Sequence, residues 1–332
     1  MLGFVVRRIG YLLFTLFVIS LVVFGLNTLG NRDPAALLAP RGANADAIAQ
    51  IRANLHLNDH WWVQYWHFLT RGPDIQGVKS GLLHWPPSLG YSFHKHEGVT
   101  AVIGQKLPAT ASLAIGALVI WMVLGVAIGV LAATHPRSVR DRVSTFFALG
   151  FLSFPTFVLG LLFLYVFFYR FHIDHVTTFF PPSGYVPLTK DPGSWAQHLL
   201  LPWFTLALTE AAIYVRITRS SMLEVLGEDY IRTARAKGLK ERRVVYRHAL
   251  RSALTPVVTL AGIDFATLLG GAIVTEQVFG IDGIGKLAVN SVNDADLPVV
   301  VGVTLVAAFF FVMINLIVDL LYAVLDARVR AA

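Results

Sequence analysis

No cysteine occurs in this chain. That excludes disulfides, thiolate metal centres and a cysteine nucleophile, and it leaves the compartment open. Charge is scarce too: Asp, Glu, Lys and Arg make up 14% of the 332 residues, against about a quarter in an average soluble domain. No HExxH, no Ser/His/Asp arrangement and no paired-carboxylate cleft is visible, so the chain reads as a non-enzyme. Internal repeats and low-complexity runs are missing as well. Acidic residues are the scarcer sign, 20 against 27 Lys and Arg, for a formal charge of +7. A basic balance fits nucleic acid, anionic lipid or the cytoplasmic loops of a membrane protein, and the positions of the charges separate these.

What is abundant is apolar. The chain is 55% hydrophobic, with a mean hydropathy of +0.63. A bilayer core about 30 Å thick needs about 20 apolar residues in a helix. Residues 9–29, 107–134, 143–169 and 297–318 meet this directly. Residues 199–215, interrupted by Glu210, and 252–275, interrupted by Asp264, complete six expected spans. The first follows Arg7 and Arg8 but is longer than the apolar region of a signal peptide and lacks an A-x-A site, so it reads as a retained helix.

Six spans put both termini on one side, and the positive-inside rule chooses the side. Arg7, Arg8, Arg137, Arg140, Arg142, the basic run from Arg216 to Arg251, Arg328 and Arg330 fall together. The short loops opposite hold only Arg170, Lys190 and Lys286. The termini are therefore expected in the cytoplasm, with 30–106, 170–198 and 276–296 outside. The outer segment carries a short amphipathic helix over 45–55. Its Trp61, Trp62, Tyr65 and Trp66 suit either a headgroup-level belt or a packed outer cap.

Residues 228–256 are the most informative cytoplasmic stretch. Glu228 and Asp229 suit a helix start, and Gly238 after Lys237 suits a helix stop. A second helix is expected from Lys240 to Leu254, with Pro256 opening the next span. A short basic helix between spans fits three partners: anionic lipid, nucleic acid or a docked protein. Nucleic acid is disfavoured, because topology accounts for the charge and no stacking aromatics interleave it.

This stretch, Tyr230-Ile-Arg-Thr-Ala-Arg-Ala-Lys-Gly238-Leu239, resembles the "EAA loop" of binding-protein-dependent ABC importer permeases. It is most similar to the dipeptide/oligopeptide permease B-subunit family. Ala234 and Gly238 match the general loop. Its Glu is replaced by Arg232, and Arg251 follows Leu250 where the wider group often has Pro; both departures are usual for the peptide type. Asp33-Pro34-Ala35, Gln64-Tyr65, Lys106-Leu-Pro-Ala-Thr110, the stretch from Arg216 to Leu226, Glu276-Gln-Val-Phe279 and Asn315-Leu-Ile-Val-Asp319-Leu-Leu-Tyr322 extend the resemblance over nearly the whole chain. Residues 71–87 look like additional outer-loop sequence. Ile281-Asp282-Gly283 lacks the family's usual Pro before the Gly.

The resemblance implies an all-α polytopic membrane protein with six transmembrane helices, cytoplasmic termini and the type I ABC importer permease fold. It divides into a first segment, 1–30, an extracytoplasmic segment, 31–106, and a permease core, 107–332. It implies a bacterial-type inner-membrane location and ATP-driven import of di- or oligopeptides. The partners it implies are a second, C-type permease subunit, two ABC ATPase subunits and an extracytoplasmic substrate-binding protein. Tyr230, Arg232, Thr233, Ala234, Arg235, Ala236, Lys237, Gly238 and Leu239 would form the coupling loop. Ala234 and Ala236 would allow close approach, and Arg232, Arg235 and Lys237 would steer toward an acidic rim. ATP and Mg²⁺ would sit on the ATPases, so no cofactor is expected on this chain.

Glu210, Asp264 and Asp319 lie at or near membrane depth, where acidic groups face a cavity or a partner charge. Glu210 and Asp264 suit either a lining of the translocation path or structural pairing; Asp319, near a span end, suits pairing. If Glu210 and Asp264 were proton sites, the chain would instead be an ion-gradient-driven secondary transporter of a small polar solute. The 228–256 loop argues against that, since such a transporter has no use for it. His94-Lys95-His96-Glu97 holds ligand-type residues but too few for a metal site by itself, and reads as a solvated run. Gly280-x-x-x-x-Gly285-Lys286 spells most of a phosphate loop. Leu287 stands where Ser or Thr must hold Mg²⁺, and the stretch lies outside. It is therefore expected to be a turn at the outer mouth.

Overall fold

The protein is described by a computed structural model covering residues 2–29, 35–36, 39, 44–169 and 183–325. Asp33, Pro34, Arg170, Arg328 and Arg330, used in the sequence reading, lie outside the described residues.

The described apolar stretches are largely helical. Helix α1 (Leu2–Leu29) is followed by two outer helices, α2 (Ala45–Asn54) and α3 (Trp61–Leu69). Asn44 caps α2 by accepting the Ala47 N–H at 2.9 Å, as a short polar residue at this position does. Two small hairpins follow: β1 (Asp74–Ile75) with β2 (Val78–Lys79), and β3 (Tyr91–Ser92) with β4 (Glu97–Gly98). The first turns on Gln76 and Gly77, both at positive φ, the two-residue turn that matches strand twist. The additional 71–87 sequence is thus an ordered hairpin extended by a Gly81–Ser88 bridge.

The core begins with α4 (Val99–Thr134). The expected third span is not one straight helix. It is α5 (Val139–Leu152) and α6 (Thr156–Phe163, continued as a wide turn Leu164–Tyr169), bent by 97°. Pro155 is the cause, because its ring disfavours helical geometry at Phe154 and it has no N–H to continue the ladder. Then come α7 (Pro192–Leu226), α8 (Asp229–Ala236), α9 (Glu241–Leu269), α10 (Ile273–Val278), α11 (Ile284–Asn293) and α12 (Leu297–Leu325). Two expectations over 240–275 are corrected. The second helix of the loop does not stop at Leu254 but runs into the fifth span, with Pro256 inside α9. That span ends at Leu269, since Gly270 and Gly271, the latter at φ 123°, break it before Thr275.

Among the described residues, five helices are long and apolar enough to cross a bilayer; the bent α5–α6 pair makes six. Packing shows that the pair must cross. Gly125 of α4 lies against Tyr214 of α7, and Gly129 against Thr218. Equal spacing in the same direction makes α4 and α7 parallel neighbours, so the chain returns between them through α5 and α6. Helices α9 and α12 are antiparallel, since Gly262 meets Val318 while Gly270 meets Ala307. Arg8 pairs with Asp319 at 3.1 Å, which puts the start of α1 beside the end of α12. Asp319 is therefore a paired structural acid, as expected.

Side chains sort accordingly. A core of Leu113, Trp121, Leu199, Tyr214, Val257 and Ile281 joins α4, α7, α9 and the outer turn. Large apolar residues of α1, such as Leu13, Phe14 and Leu26, stay exposed, as lipid contact requires. Outer helix α3 lies on α1: Tyr65 Oη is 2.9 Å from Ser20 Oγ, and Phe24 packs with Trp61, Tyr65 and Phe68. The segment is thus a packed cap, on which Trp61, Trp62 and Trp66 remain exposed.

Candidate functional site

Helix α8 stands alone between two long helices, at the end of the bundle where α1 starts and α12 finishes. It is short because Gly227 closes α7 before it and Gly238 closes it behind. Gly238 adopts φ 74°, with the Gly238 N–H donating to Arg235 O and the Leu239 N–H to Ala234 O. This is the left-handed helix stop expected of glycine. Ile231 and Ala234 turn inward onto Val130, Met222, Val244 and Val245, fastening α8 to the ends of α4, α7 and α9.

The outward face carries Tyr230, Arg232, Thr233, Arg235, Ala236 and Lys237, all exposed, with Leu239 half-buried behind. Two expectations change here. Ala234 packs within this chain, so Ala236 is the small residue left exposed. Arg235 donates to Glu241 from Nε at 3.1 Å and Nη2 at 2.7 Å, clamping α8 to α9. Its charge is engaged inside the chain, leaving Arg232 and Lys237 as the outward cations of α8; Arg232 pairs with exposed Asp229 at 3.4 Å. Tyr230 Oη is 3.1 Å from Ser252 Oγ. Beside α8, Lys240, Arg242, Arg243, Tyr246 and Arg247 line a basic hollow.

A further link at this end was not legible beforehand. Arg219 of α7 grips Asp141 of α5 through Nε at 2.6 Å and Nη2 at 2.8 Å, while the Arg137 N–H donates to the same carboxylate at 2.9 Å. Two parallel bonds make this a fixed fork that ties the return crossing to the helix leading into α8.

Within the bundle, the structure brings Glu210 and Asp264 to one place. Tyr214, fully buried, donates to Asp264 Oδ2 at 2.7 Å and packs against Trp121. Glu210 lies one turn before Tyr214 on α7, within electrostatic reach of Asp264, and both acids are half-buried. Tyr214 was missed because a tyrosine in an apolar run carries no signal of its own.

At the outer end, the near-phosphate-loop is a structural joint. Gly280 takes φ 63°, and α11 starts just after Gly283. The N–H groups that would cradle a phosphate are taken. The Ile284 N–H donates to Thr110 Oγ1 at 2.8 Å and the Lys286 N–H to Glu276 Oε2 at 2.8 Å, while Thr110 Oγ1 donates to Glu276 Oε1 at 2.7 Å. A Cβ on Gly283 would lie 2.5 Å from the Glu276 carboxyl, so only glycine lets the carboxylate approach. Glu276 is fully buried, and burial pushes its carboxyl above the usual range, opposed by these bonds. His94 and His96 do not meet a third ligand-type residue among the described residues.

Comparison with known proteins agrees with this architecture. Residues 125–331 match the family "Binding-protein-dependent transport system inner membrane component", and residues 1–114 match its N-terminal region. The "Glutathione transport system permease protein GsiC" of Escherichia coli strain K12 is 38% identical over 330 residues, covering 99% of each chain. Its counterpart in Salmonella choleraesuis strain SC-B67 is 39% identical over 331 residues with the same coverage. Among solved structures, one titled "Inward facing conformations of the MetNI methionine ABC transporter" superposes with a TM-score of 0.51 over 68% of this chain and 97% of that one, at 18% identity; it bears on the fold alone. A multi-pass helical chain, matched along almost its whole length, belongs to the inner-membrane components of binding-protein-dependent transport systems.

Proposed function

We propose that this chain is one of two permease subunits of an ATP-driven importer for small peptides, glutathione-like tripeptides included. The observation that carries the reading is α8. It is a helix of eight residues held rigidly from behind by Ile231, Ala234 and the Arg235–Glu241 clamp, with Arg232, Thr233, Ala236 and Lys237 presented outward. A helix anchored on one face and open on the other suits docking into a partner. The partner is a cytoplasmic ATPase, one on each of two permease chains, the second chain being of the related C type.

ATP and Mg²⁺ bind those ATPases, and this chain performs no chemical step of its own. Closure of the ATPases would move α8 as a rigid body, and the Asp141–Arg219 fork and the α8 core would pass that motion to α5, α7 and α9. An extracytoplasmic binding protein delivers the peptide to the outer face. Glu210 and Asp264 line the path, where their negative charge suits the ammonium group of a peptide. The 38% identity to permeases named for glutathione supports the substrate class.

The test is uptake by reconstituted vesicles together with ATPase co-purification. Arg232→Glu with Lys237→Glu is expected to lower both at least tenfold. Glu241→Arg alone should weaken coupling, and Arg235→Glu combined with Glu241→Arg should restore it, because the clamp is rebuilt with the charges exchanged. Uptake that survives loss of the ATPases and collapses with an uncoupler would replace this reading with a secondary transporter using Glu210 and Asp264 as proton sites.

A further inference from the structure

On the outer face, the turn between α2 and α3 brings together His56, Asp59 and His67. Each offers one nitrogen or oxygen, and these atoms lie within 4.8 Å of one another. We propose that these three residues bind a divalent ion of the zinc class.

The turn is built around an unusual choice. Helix α2 ends with the His56 N–H donating to Ala53 O and the Leu57 N–H to Arg52 O. That pattern places His56 at the left-handed stop position, with φ 56°, where glycine is the common choice. Gly238 holds the same position at the end of α8, with the matching pair of bonds. A histidine accepts strain there that a glycine would avoid, and strain of this kind collects at functional sites. The conformation sets the His56 ring beside that of His67, with centroids 4.9 Å apart and planes 21° from parallel.

The turn is held rigid from within. Gln64 donates from Nε2 to Leu57 O at 3.1 Å and to Asp59 O at 2.9 Å, fixing Asp59 relative to α3. The ligand atoms follow from the partners of each ring. His67 Nδ1 lies 3.1 Å from Arg71 O, a carbonyl that can only accept, so Nδ1 carries the proton. His56 Nδ1 lies 3.1 Å from Asp59 Oδ2, close to the separation of two ligand atoms on one ion, so the ion takes the place of that contact and His56 binds through Nδ1. His67 is left with an unprotonated Nε2, the ligand atom, and is oriented through its other nitrogen, as metal-binding histidines are. Tetrahedral ligands about 2.1 Å from zinc lie about 3.4 Å apart, so side-chain rotation of about an ångström closes the set. Two imidazoles and a carboxylate favour a borderline ion over calcium or magnesium. Side-chain exposures of 50% for His56 and 39% for Asp59 leave the remaining positions to water or to a donor from a protein docking on the outer face.

The full chain, tag-free and stripped with a chelator, would be placed in lipid nanodiscs and titrated with Zn²⁺ against a chromophoric chelator. One zinc per chain is expected, with His67→Ala and His56→Gly each weakening binding at least tenfold, the scale known for losing even an orienting partner of a ligand. His56→Gly relieves the backbone at the stop position and so separates loss of metal from loss of fold; an unchanged melt confirms this. His94→Ala with His96→Ala is expected to leave the affinity as it was. Sub-stoichiometric binding by the parent chain, or less than a tenfold effect of His56→Gly and His67→Ala, overturns the proposal.

Discussion

Glu276 joins three elements that are far apart in sequence. It accepts from Thr110 on α4 and from the Lys286 N–H on α11 while belonging to α10. Glu276→Ala removes both acceptors and orphans the buried Thr110 hydroxyl and the half-buried Lys286 N–H, which costs about 2–4 kcal/mol; thermal unfolding in lipid would measure it. The pH dependence has a definite sign. The folded carboxyl sits above its ordinary value of 4.5, so the folded state holds the proton more tightly than the unfolded one. Its contribution is most favourable below 4.5 and declines as the pH rises from there through the raised value. Glu276→Gln, which does not titrate, is expected to flatten that part of the profile of melting temperature against pH. The spelling around Glu276 showed glycines and a lysine but not where the carboxylate went, because its partners lie 10 and 166 residues away.

At the scale of elements, α8 was legible and the third crossing was not. The helix stop at Gly238 depends on one residue's backbone freedom, a local property. Gly238→Ala meets no atom within 4 Å, so its cost is the left-handed conformation alone, about 1 kcal/mol. A corresponding small loss of α8 protection in hydrogen exchange is expected. The bend at Pro155 was concealed by hydropathy, which sums over 143–169 without regard to direction. Pro155→Ala restores an N–H and lets Phe154 turn helical. Spin labels at Phe147→Cys and Leu162→Cys should then move apart, read by electron–electron dipolar distances; an unchanged distance would place the bend in the surrounding packing. The chain's lack of cysteine makes such labelling direct.

At the scale of the molecule, the parallel pair α4 and α7 organises the bundle. A Cβ on Gly125 would stand 2.4 Å from that of Tyr214, so Gly125→Val forces the helices apart. Overpacking of this kind costs about 1–3 kcal/mol, and here it would also displace the Tyr214–Asp264 bond. Uptake is expected to fall more steeply than stability, as initial rates beside a melting curve would show. The topology has its own check. Gln76→Cys should react with an impermeant maleimide in intact cells, and Lys237→Cys only after permeabilisation; the reverse pattern would invert the assignment of sides.

Composition and local order were sufficient for the membrane character, the charge asymmetry between the two faces, the short helix 45–55 and the stop at Gly238. Each depends on neighbours within a turn or on a sum over a stretch, and neither requires knowing which helix lies beside which. The tertiary structure alone decided that Asp264 meets Tyr214 across 50 residues, that Asp141 meets Arg219 across 78, that Ala234 and Arg235 serve this chain's own packing, and that His56, Asp59 and His67 converge. Side-chain pairing at a distance is set by helix direction, close approach at small residues and the bend at Pro155. A one-residue shift of any helix face would have produced different partners from the same hydropathy.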